Sequence, residues 1–300
     1  MKIAIFGLGK MGIQIARRLQ KNNFEVLAWN RSPEPREEAA KAGVKTFEKV
    51  DELVGAMAQS PRIFWIMLPH EIVAEFIEKQ IGPHLRAGDI VIDGGNSLYK
   101  ESIKRAAELS AKGVVFYDCG TSGGVWGEEN GFALMVGGPK EQWHVVEPIF
   151  KVLSSGENYG LMGKNGAGHF VKMVHNGIEY GMMEAIGEGY AVMQASDFNL
   201  DLKQVTKVYQ QGSVVRSWLI DLVYNIFDGE DIAGTKGYIK ASGEGEWTVN
   251  AGHELGVDVR VIEDSLKVRS ESEDPANQNK FSNKIVALMR KQFGGHAIKK

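Results

Sequence analysis

The 300-residue sequence contains one cysteine, almost no net charge and no long uninterrupted apolar run. A single thiol, Cys119, excludes an internal disulfide framework of the kind that stabilises small secreted proteins. The 35 basic and 38 acidic side chains give a formal net charge of −3, without a basic tract that could follow a phosphate backbone. We therefore expect no nucleic-acid partner.

The most apolar long stretch, residues 170–193, also lacks the uniformity of a membrane span. It contains five ionisable side chains, each costly to place in hydrocarbon: Lys172, His175, Glu179, Glu184 and Glu188. The N-terminal segment has the pattern of a strand rather than that of a secretory signal sequence. We expect a buried helix at residues 170–193, no membrane partner and a cytoplasmic protein.

Metal-binding patterns are missing as well. The seven histidines are scattered, and none forms an H-x-x-x-H pair or a cluster with the lone cysteine. We therefore expect no metal site.

The first 160 residues alternate short β-branched runs with helical stretches, which is typical of βαβ units on a parallel sheet. After that the pattern is one of long helices, broken at Gly229, 243–245 and Pro275. We predict an α/β Rossmann-type N-terminal domain, residues 1–165, and an all-α C-terminal domain, residues 166–300. Predicted strands cover residues 2–6, 25–29, 63–67, 90–93, 114–118 and 133–137; predicted helices cover residues 11–21, 34–42, 50–58, 72–80, 100–111 and 140–153.

A G-x-G-x-x-G motif directly follows the first predicted strand and opens a helix. Gly7 permits a tight turn, Gly9 lets backbone meet a pyrophosphate, and Gly12 lets the helix pack on the strand. This context favours a dinucleotide site over an ordinary glycine-rich turn. We expect the cofactor to contact Gly7, Leu8, Gly9, Lys10, Met11 and Gly12, and also Leu68 and Asn96.

The end of the second predicted strand indicates which dinucleotide binds. An NAD site usually carries Asp or Glu there for the ribose hydroxyls, but this sequence has Asn30, Arg31 and Ser32. No carboxylate would repel a 2′-phosphate, and the planar guanidinium of Arg31 could bind it. The pattern favours NADP and leaves NAD possible; alternatively, Arg31 is a solvated loop charge.

Residues 166–180 predict a helix with an unusual polar stripe. Lys172, His175, Asn176 and Glu179 fall at i, i+3, i+4 and i+7, so they share one face of an otherwise apolar helix. Burying them unpaired would cost several kcal/mol. The stripe therefore faces either a wet cleft, where a lysine base and a carboxylic acid could transfer protons, or its own ion-pair partners in a bundle.

At these residues the sequence resembles the 6-phosphogluconate dehydrogenases, within the β-hydroxyacid dehydrogenase superfamily. The resemblance covers essentially the whole chain and corresponds to the short form of the family. Four segments carry it: Gly7–Gly12 with residues 30–32, residues 93–97, residues 121–124, and residues 168–180.

The resemblance implies oxidative decarboxylation of 6-phosphogluconate to ribulose 5-phosphate and CO2, with reduction of NADP, in the pentose phosphate pathway. It implies that Lys172 is the base for the C3 hydroxyl and that Glu179 is the acid that converts the enediol to the ketopentose. The implied substrate ligands are Asn96, Ser122, Gly123, Gly124, His175, Asn176, Tyr180, Arg269, Arg290 and His296.

The C-terminal tail and one acidic residue qualify this assignment. The resemblance implies that the tail carries Arg290 and His296 into a neighbouring subunit's site, in a homodimer or homotetramer; the alternative is a frayed terminus. Glu246 stands where the family pattern has a basic residue, and a carboxylate there would repel phosphate. Arg269 and Arg290 are then expected to bind it; if neither does, the preferred acid is unphosphorylated.

Two other functions stay open. A 3-hydroxyisobutyrate-type or aldonate dehydrogenase would stop at the keto acid and release no CO2. A non-catalytic dinucleotide-binding regulator would not depend on Lys172.

Overall fold

An eight-stranded sheet organises the N-terminal unit of the computed structural model, which describes residues 1–58, 60–240 and 243–299. This unit is Met1–Lys172, and a second compact unit begins at Met173. The strand order is β3-β2-β1-β4-β5-β6-β7-β8. The strands are β1 Lys2–Phe6, β2 Glu25–Trp29, β3 Lys45–Phe47, β4 Ile63–Ile66, β5 Ile90–Asp93, β6 Val115–Ser122, β7 Ala133–Gly137 and β8 Tyr159–Gly163.

The predicted strands are confirmed in position, but the sheet is not wholly parallel. β6 and β7 pair antiparallel, whereas every other named strand pair is parallel. Residues 123–132 join β6 to β7, and a parallel crossover needs a longer connection. The two edge strands, β3 and β8, were missed because neither has the β-branched run that marks the buried strands.

Both faces of the sheet are covered, which explains the apolar strands. In β1, Ile3 and Ile5 pack into one buried cluster and Ala4 and Phe6 into another, because successive side chains of a strand point to opposite faces. The helices of this unit are α1 Lys10–Lys21, α2 Pro33–Lys41, α3 Val50–Gly55, α4 His70–Phe76 continued by a π-helical turn Ile77–Ile81, α5 Tyr99–Ser110, α6 Gly127–Asn130 and α7 Trp143–Leu153.

Helices make up the second unit around one buried apolar cluster. The long helix α8 contains residues of both units. Of the predicted breaks, the one at Gly229 is confirmed, but α11 already begins at Glu244, so Gly245 lies inside a helix. The helices are α8 Ala167–Gln194, α9 Leu202–Tyr209, α10 Trp218–Gly229, α11 Glu244–Glu254, α12 Arg260–Glu271 and α13 Phe281–Gly294.

Packing explains why a glycine occupies this helical position: a Cβ at Gly245 would lie 2.7 Å from the ring of Tyr180.

Across the described ranges, no helix combines the length and the apolarity needed to span a membrane.

Asp118 holds the start of α8 against the sheet. Its fully buried carboxylate accepts the backbone N–H of Gly166 at 2.6 Å and that of His169 at 2.9 Å. Helix N-termini leave such N–H groups without intrahelical partners, and a negative charge there is favourable. The close packing at this point needs glycine, because a Cβ at Gly168 would lie 2.5 Å from the carbonyl oxygens of Asp118 and Met135.

Removing this carboxylate should destabilise the sheet unit. We expect Asp118→Ala to lower the free energy of unfolding by about 3 kcal/mol, because two buried N–H groups lose a charged acceptor. Urea denaturation followed by circular dichroism measures the change. Asp197→Ala, at an exposed position, is the control, and equal stability of the two variants would contradict the assignment.

Candidate active site

Four strands, β1, β2, β4 and β5, end at the same level on one edge of the sheet, and β6 passes that level at Asp118 before it ends at Ser122. Phe6 pairs with Trp29 and with Ile66, Ile66 pairs with Asp93, and Asp93 pairs with Asp118. The loops that follow these residues therefore leave from one carboxyl edge. The strand order reverses at β1, and ligands of open α/β sheets bind outside the carboxyl ends at such a point.

The glycine loop after β1 fits a dinucleotide pyrophosphate. Gly7 has φ +102°, and a Cβ there would lie 2.3 Å from the carbonyl oxygen of Met67. A Cβ at Gly12 would lie 2.1 Å from the carbonyl oxygen of Gly7, whereas no atom of the described residues, apart from Gly9 and its two chain neighbours, lies within 4 Å of a Cβ placed at Gly9. Open space at Gly9 lets an anion approach the first amides of α1, where no described side chain forms a capping hydrogen bond.

The loop after β2 is held by hydrogen bonds and leaves Arg31 exposed. Asn30 Oδ1 accepts the N–H of Leu8 at 2.9 Å, which joins this loop to the glycine loop. Arg36 donates to the carbonyl oxygen of Asn30 at 2.8 Å and pairs with Glu48 at 3.3 Å. Arg36 is therefore part of the loop's support. The side chains of Arg31 and Ser32 are exposed.

The side chains of the other predicted cofactor contacts differ in exposure. Lys10 is exposed, Met11 is half-buried and Leu8 is buried. Leu68 follows β4 at the same edge and packs partly against an apolar cluster of the sheet unit.

Asp93, which sequence reasoning gave no role, holds the loop that carries Asn96. Its fully buried carboxylate accepts the N–H of Gly95 at 3.1 Å, the hydroxyl of Ser97 at 2.8 Å and the guanidinium of Arg105 at 2.8 Å. Asn96 lies between these held residues with its side chain exposed. An aspartate that directly precedes a Gly-Gly-Asn-Ser turn was the available signal.

His169 is a second positioning residue that the sequence did not reveal. Its ring is buried and lies 3.1 Å from the carbonyl oxygen of Gly95 through Nε2 and 2.7 Å from Ser102 Oγ through Nδ1. A carbonyl only accepts, so Nε2 carries the proton and Nδ1 accepts from the Ser102 hydroxyl. The ring therefore connects the start of α8 to the Asn96 loop and to α5.

Lys172 lies on α8 beside the end of β6. It is 9% exposed, and a Cβ on Gly120 would lie 2.2 Å from its own Cβ. The glycine thus lets the helix and the lysine approach the strand that ends at Ser122. Gly123 and Gly124 follow with φ +130° and +55°, a backbone course that favours glycine.

In the helical unit, the remaining polar residues of the stripe contact one another. His175 Nδ1 lies 3.1 Å from Asn176 Oδ1 and 3.9 Å from Glu179 Oε2. Asn176 is buried, whereas His175 and Glu179 are half-buried. The spacing inferred for one helix face is confirmed for these groups.

A buried cluster surrounds Tyr180 in the same unit. The guanidinium carbon of Arg269 lies 3.2 Å from the centre of the Tyr180 ring, and Arg269 Nε lies 3.4 Å from Glu184 Oε1. Arg269 is fully buried, and none of its three guanidinium nitrogens has a hydrogen-bond partner within residues 1–58, 60–240 and 243–299. Burial lowers the pKa of Arg269 and raises the pKa of Glu184 to about 7, with the charge of Arg269 opposing that rise.

Arg290 faces this cluster within the same chain. It is buried, and its pKa is lowered first by burial and then by the charge of Arg269. Glu244, to which sequence reasoning gave no role, is buried and acts on Arg290 with Glu179 and Tyr180.

Glu246, in contrast, is exposed on α11. The tail contacts its own unit: His296 Nδ1 contacts the carbonyl oxygen of Arg290 at 2.9 Å, and the backbone of Lys299 forms an antiparallel β-bridge with that of Lys236. Supply of these groups to a neighbouring subunit stays a prediction.

Comparison with known proteins shows which family the two parts of the chain match. Residues 2–163 match the family model described as the NAD binding domain of 6-phosphogluconate dehydrogenase, and residues 168–299 match the model of its C-terminal domain. A decarboxylating, NAD(+)-dependent 6-phosphogluconate dehydrogenase of Haloferax volcanii is 38% identical over 301 residues, which cover 99% of this chain and 98% of the relative.

Two solved structures are similar to the chain. The 6-phosphogluconate dehydrogenase of Plasmodium falciparum superposes with a TM-score of 0.84 at 30% identity, over 91% of this chain and 62% of that one. A 3-hydroxyisobutyrate dehydrogenase of Mycobacterium tuberculosis superposes with a TM-score of 0.75 at 20% identity, over 95% and 97% of the two chains. The second likeness shows the fold alone.

Both halves of the chain thus match models of one family, and a relative of equal length shares more than a third of its residues. The chain belongs to the 6-phosphogluconate dehydrogenase family and is an oxidoreductase with an N-terminal domain that binds a nicotinamide dinucleotide.

Proposed function

We propose that the protein oxidises 6-phosphogluconate and decarboxylates it to ribulose 5-phosphate and CO2, with NADP as the hydride acceptor. The observation that supports a phosphorylated substrate is the buried guanidinium of Arg269. An unsatisfied buried charge of this kind is strongly unfavourable, and a phosphate oxygen would complete its hydrogen bonds. Arg290 adds a second positive charge beside it, whereas Glu246 is exposed on the surface of α11.

Lys172 is proposed as the base in the oxidation step. When bound, the nicotinamide supplies the hydride acceptor. The Lys172 amine takes the proton of the C3 hydroxyl while the C3 hydride leaves, so that a 3-keto acid forms.

Glu179 is proposed as the acid that completes the reaction. Loss of CO2 from the 3-keto acid leaves an enediol once the proton held by Lys172 returns to the C3 oxygen. Glu179 then delivers a proton to the carbon that becomes C1 while Lys172 takes the hydroxyl proton back, which gives the ketopentose. Lys172 and Glu179 are seven residues apart on one continuous helix, so both project from the same face. Asn96, Ser122, Gly123, Gly124, His175, Asn176, Tyr180 and His296 are proposed to hold the sugar acid.

The reaction gives a direct test. We expect one CO2 per NADPH formed from 6-phosphogluconate, and a kcat/KM for gluconate at least about 100-fold lower, because gluconate has no phosphate to accept hydrogen bonds from the buried guanidinium. Spectrophotometry with trapped CO2 measures both.

Lys172→Met should lower kcat by about 1000-fold or more with dinucleotide binding preserved. NADPH formation without CO2 would instead support a 3-hydroxyisobutyrate-type or aldonate dehydrogenase.

Cofactor choice is assigned to the loop after β2. Arg31 is exposed there with no carboxylate at the neighbouring positions 30 and 32, which favours a 2′-phosphate. We expect Arg31→Ala to raise KM for NADP by about 10-fold or more and to leave KM for NAD within about twofold. Arg260→Ala, at another exposed arginine, is the control. An unchanged KM for NADP in Arg31→Ala would contradict the assignment to Arg31, whereas a wild-type preference for NAD would match the cofactor named for the Haloferax relative.

A homo-oligomer, dimeric or tetrameric, is proposed from an apolar stripe on α8. The stripe consists of exposed residues spaced alternately by four and three positions: Ile178, Met182, Ala185, Gly189 and Val192. This heptad spacing is typical of a helix that packs on another helix. We expect light scattering to give a multiple of the 33.0 kDa chain mass and Met182→Glu to reduce it. A wild-type mass of one chain would contradict the proposal.

A further inference from the structure

The ion pair between Glu184 and Arg269 is incomplete by the standards of a structural ion pair. Both side chains are nearly inaccessible, at 6% and 0% exposure, yet the closest atoms are 3.4 Å apart. Neither Glu184 Oε1 nor the Arg269 nitrogens make a hydrogen bond to any described residue. A buried pair that is retained for stability normally has good geometry and further hydrogen bonds.

Charged groups on three helices act on Glu184. Arg269 of α12 and Arg290 of α13 favour its charged form, whereas Glu188 of α8 itself opposes it. Glu244 of α11 acts on Arg290. Glu179 of α8 and Tyr180 also act on Arg269. The net charge of the cluster becomes more positive by one when Glu184 gains a proton.

We propose that Glu184 is a positioning residue that holds the Arg269 guanidinium in the substrate-free protein and is protonated when the substrate's phosphate replaces it. This inference depends on the proposed function, in which Arg269 binds that phosphate. The guanidinium is fully buried, so an anion reaches it only if neighbouring side chains move, and Glu184 is the acid that pairs with it.

Proton uptake follows from the charges. A dianionic phosphate neutralises Arg269 and brings negative charge close to Glu184, and both effects disfavour the carboxylate. One proton passes from solvent to the carboxylate, which becomes a neutral carboxylic acid, and no covalent bond of the substrate changes. Burial already raises the pKa of Glu184 to about 7 in the substrate-free protein, so uptake is largest at alkaline pH.

Calorimetry measures this uptake on the wild-type protein. 6-Phosphogluconate is titrated into the full-length protein in two buffers of different ionisation enthalpy, at pH 7 and at pH 8. We expect Glu184 to contribute uptake of about 0.5 proton at pH 7 and about 0.9 at pH 8, for a pKa near 7. The phosphate of the substrate itself ionises near pH 6 and contributes little at pH 8.

Glu184→Gln isolates the contribution of this carboxyl group. The variant keeps the shape of the side chain and cannot titrate, so uptake at pH 8 should fall by about 0.9 proton. From pH 7 to pH 8.5, Kd for 6-phosphogluconate should rise about 10-fold more in the wild type than in the variant. Glu271→Gln, on the same helix as Arg269 but exposed, should retain the wild-type uptake and pH profile.

The outcomes separate this inference from the proposed function. No binding or turnover of 6-phosphogluconate by the wild type would overturn both. Turnover with no proton uptake at pH 8, or with equal uptake in Glu184→Gln, would overturn the role of Glu184 alone. If Glu184→Gln fails to fold, the wild-type titration still decides, since an absence of uptake at pH 8 contradicts the proposal.

Discussion

The capping of α8 by Asp118 is the interaction on which the proposed site depends. The buried carboxylate of Asp118, on β6, accepts hydrogen bonds from two N–H groups at the start of α8. This contact sets where the helix begins against β6, and Lys172 follows one turn later beside Gly120. His169, in the same turn, reaches the Asn96 loop. One buried charge thus positions the proposed base and a substrate-binding loop together.

Hydrogen bonds between side-chain oxygens and backbone N–H groups, together with close packing at glycines, position most of the other loops and helices of the site. Asp93 holds the loop after β5, and Asn30 joins the loops after β1 and β2. In the helical unit, a Cβ on Gly177 would lie 2.7 Å from the side chain of Thr248, so glycine allows α8 and α11 to pack closely. Rigid supports of this kind are what a proton-transfer site requires, because reacting groups must be held within a fraction of an ångström.

The buried cluster of the helical unit has the opposite character. Arg269 is stacked on Tyr180, lies 3.4 Å from Glu184 and lacks hydrogen-bond partners within the described ranges, so its buried N–H groups are unsatisfied until the proposed phosphate binds. Catalytic and binding sites commonly retain such electrostatic strain because it is relieved on binding.

Local patterns in the sequence determined the Rossmann strands, the glycine loop and the polar face of α8, because strand alternation, turn chemistry and helical periodicity act between near neighbours. The Asp118 contact, the roles of His169 and Asp93, the antiparallel β6–β7 pair and the exposure of Glu246 were decided by tertiary structure. Contacts between residues that are distant in sequence are the main reason: Asp118 contacts Gly166, and in the same way Glu184 contacts Arg269. Burial and the approach of such groups fix their charge and partners, and periodicity carries no information about either.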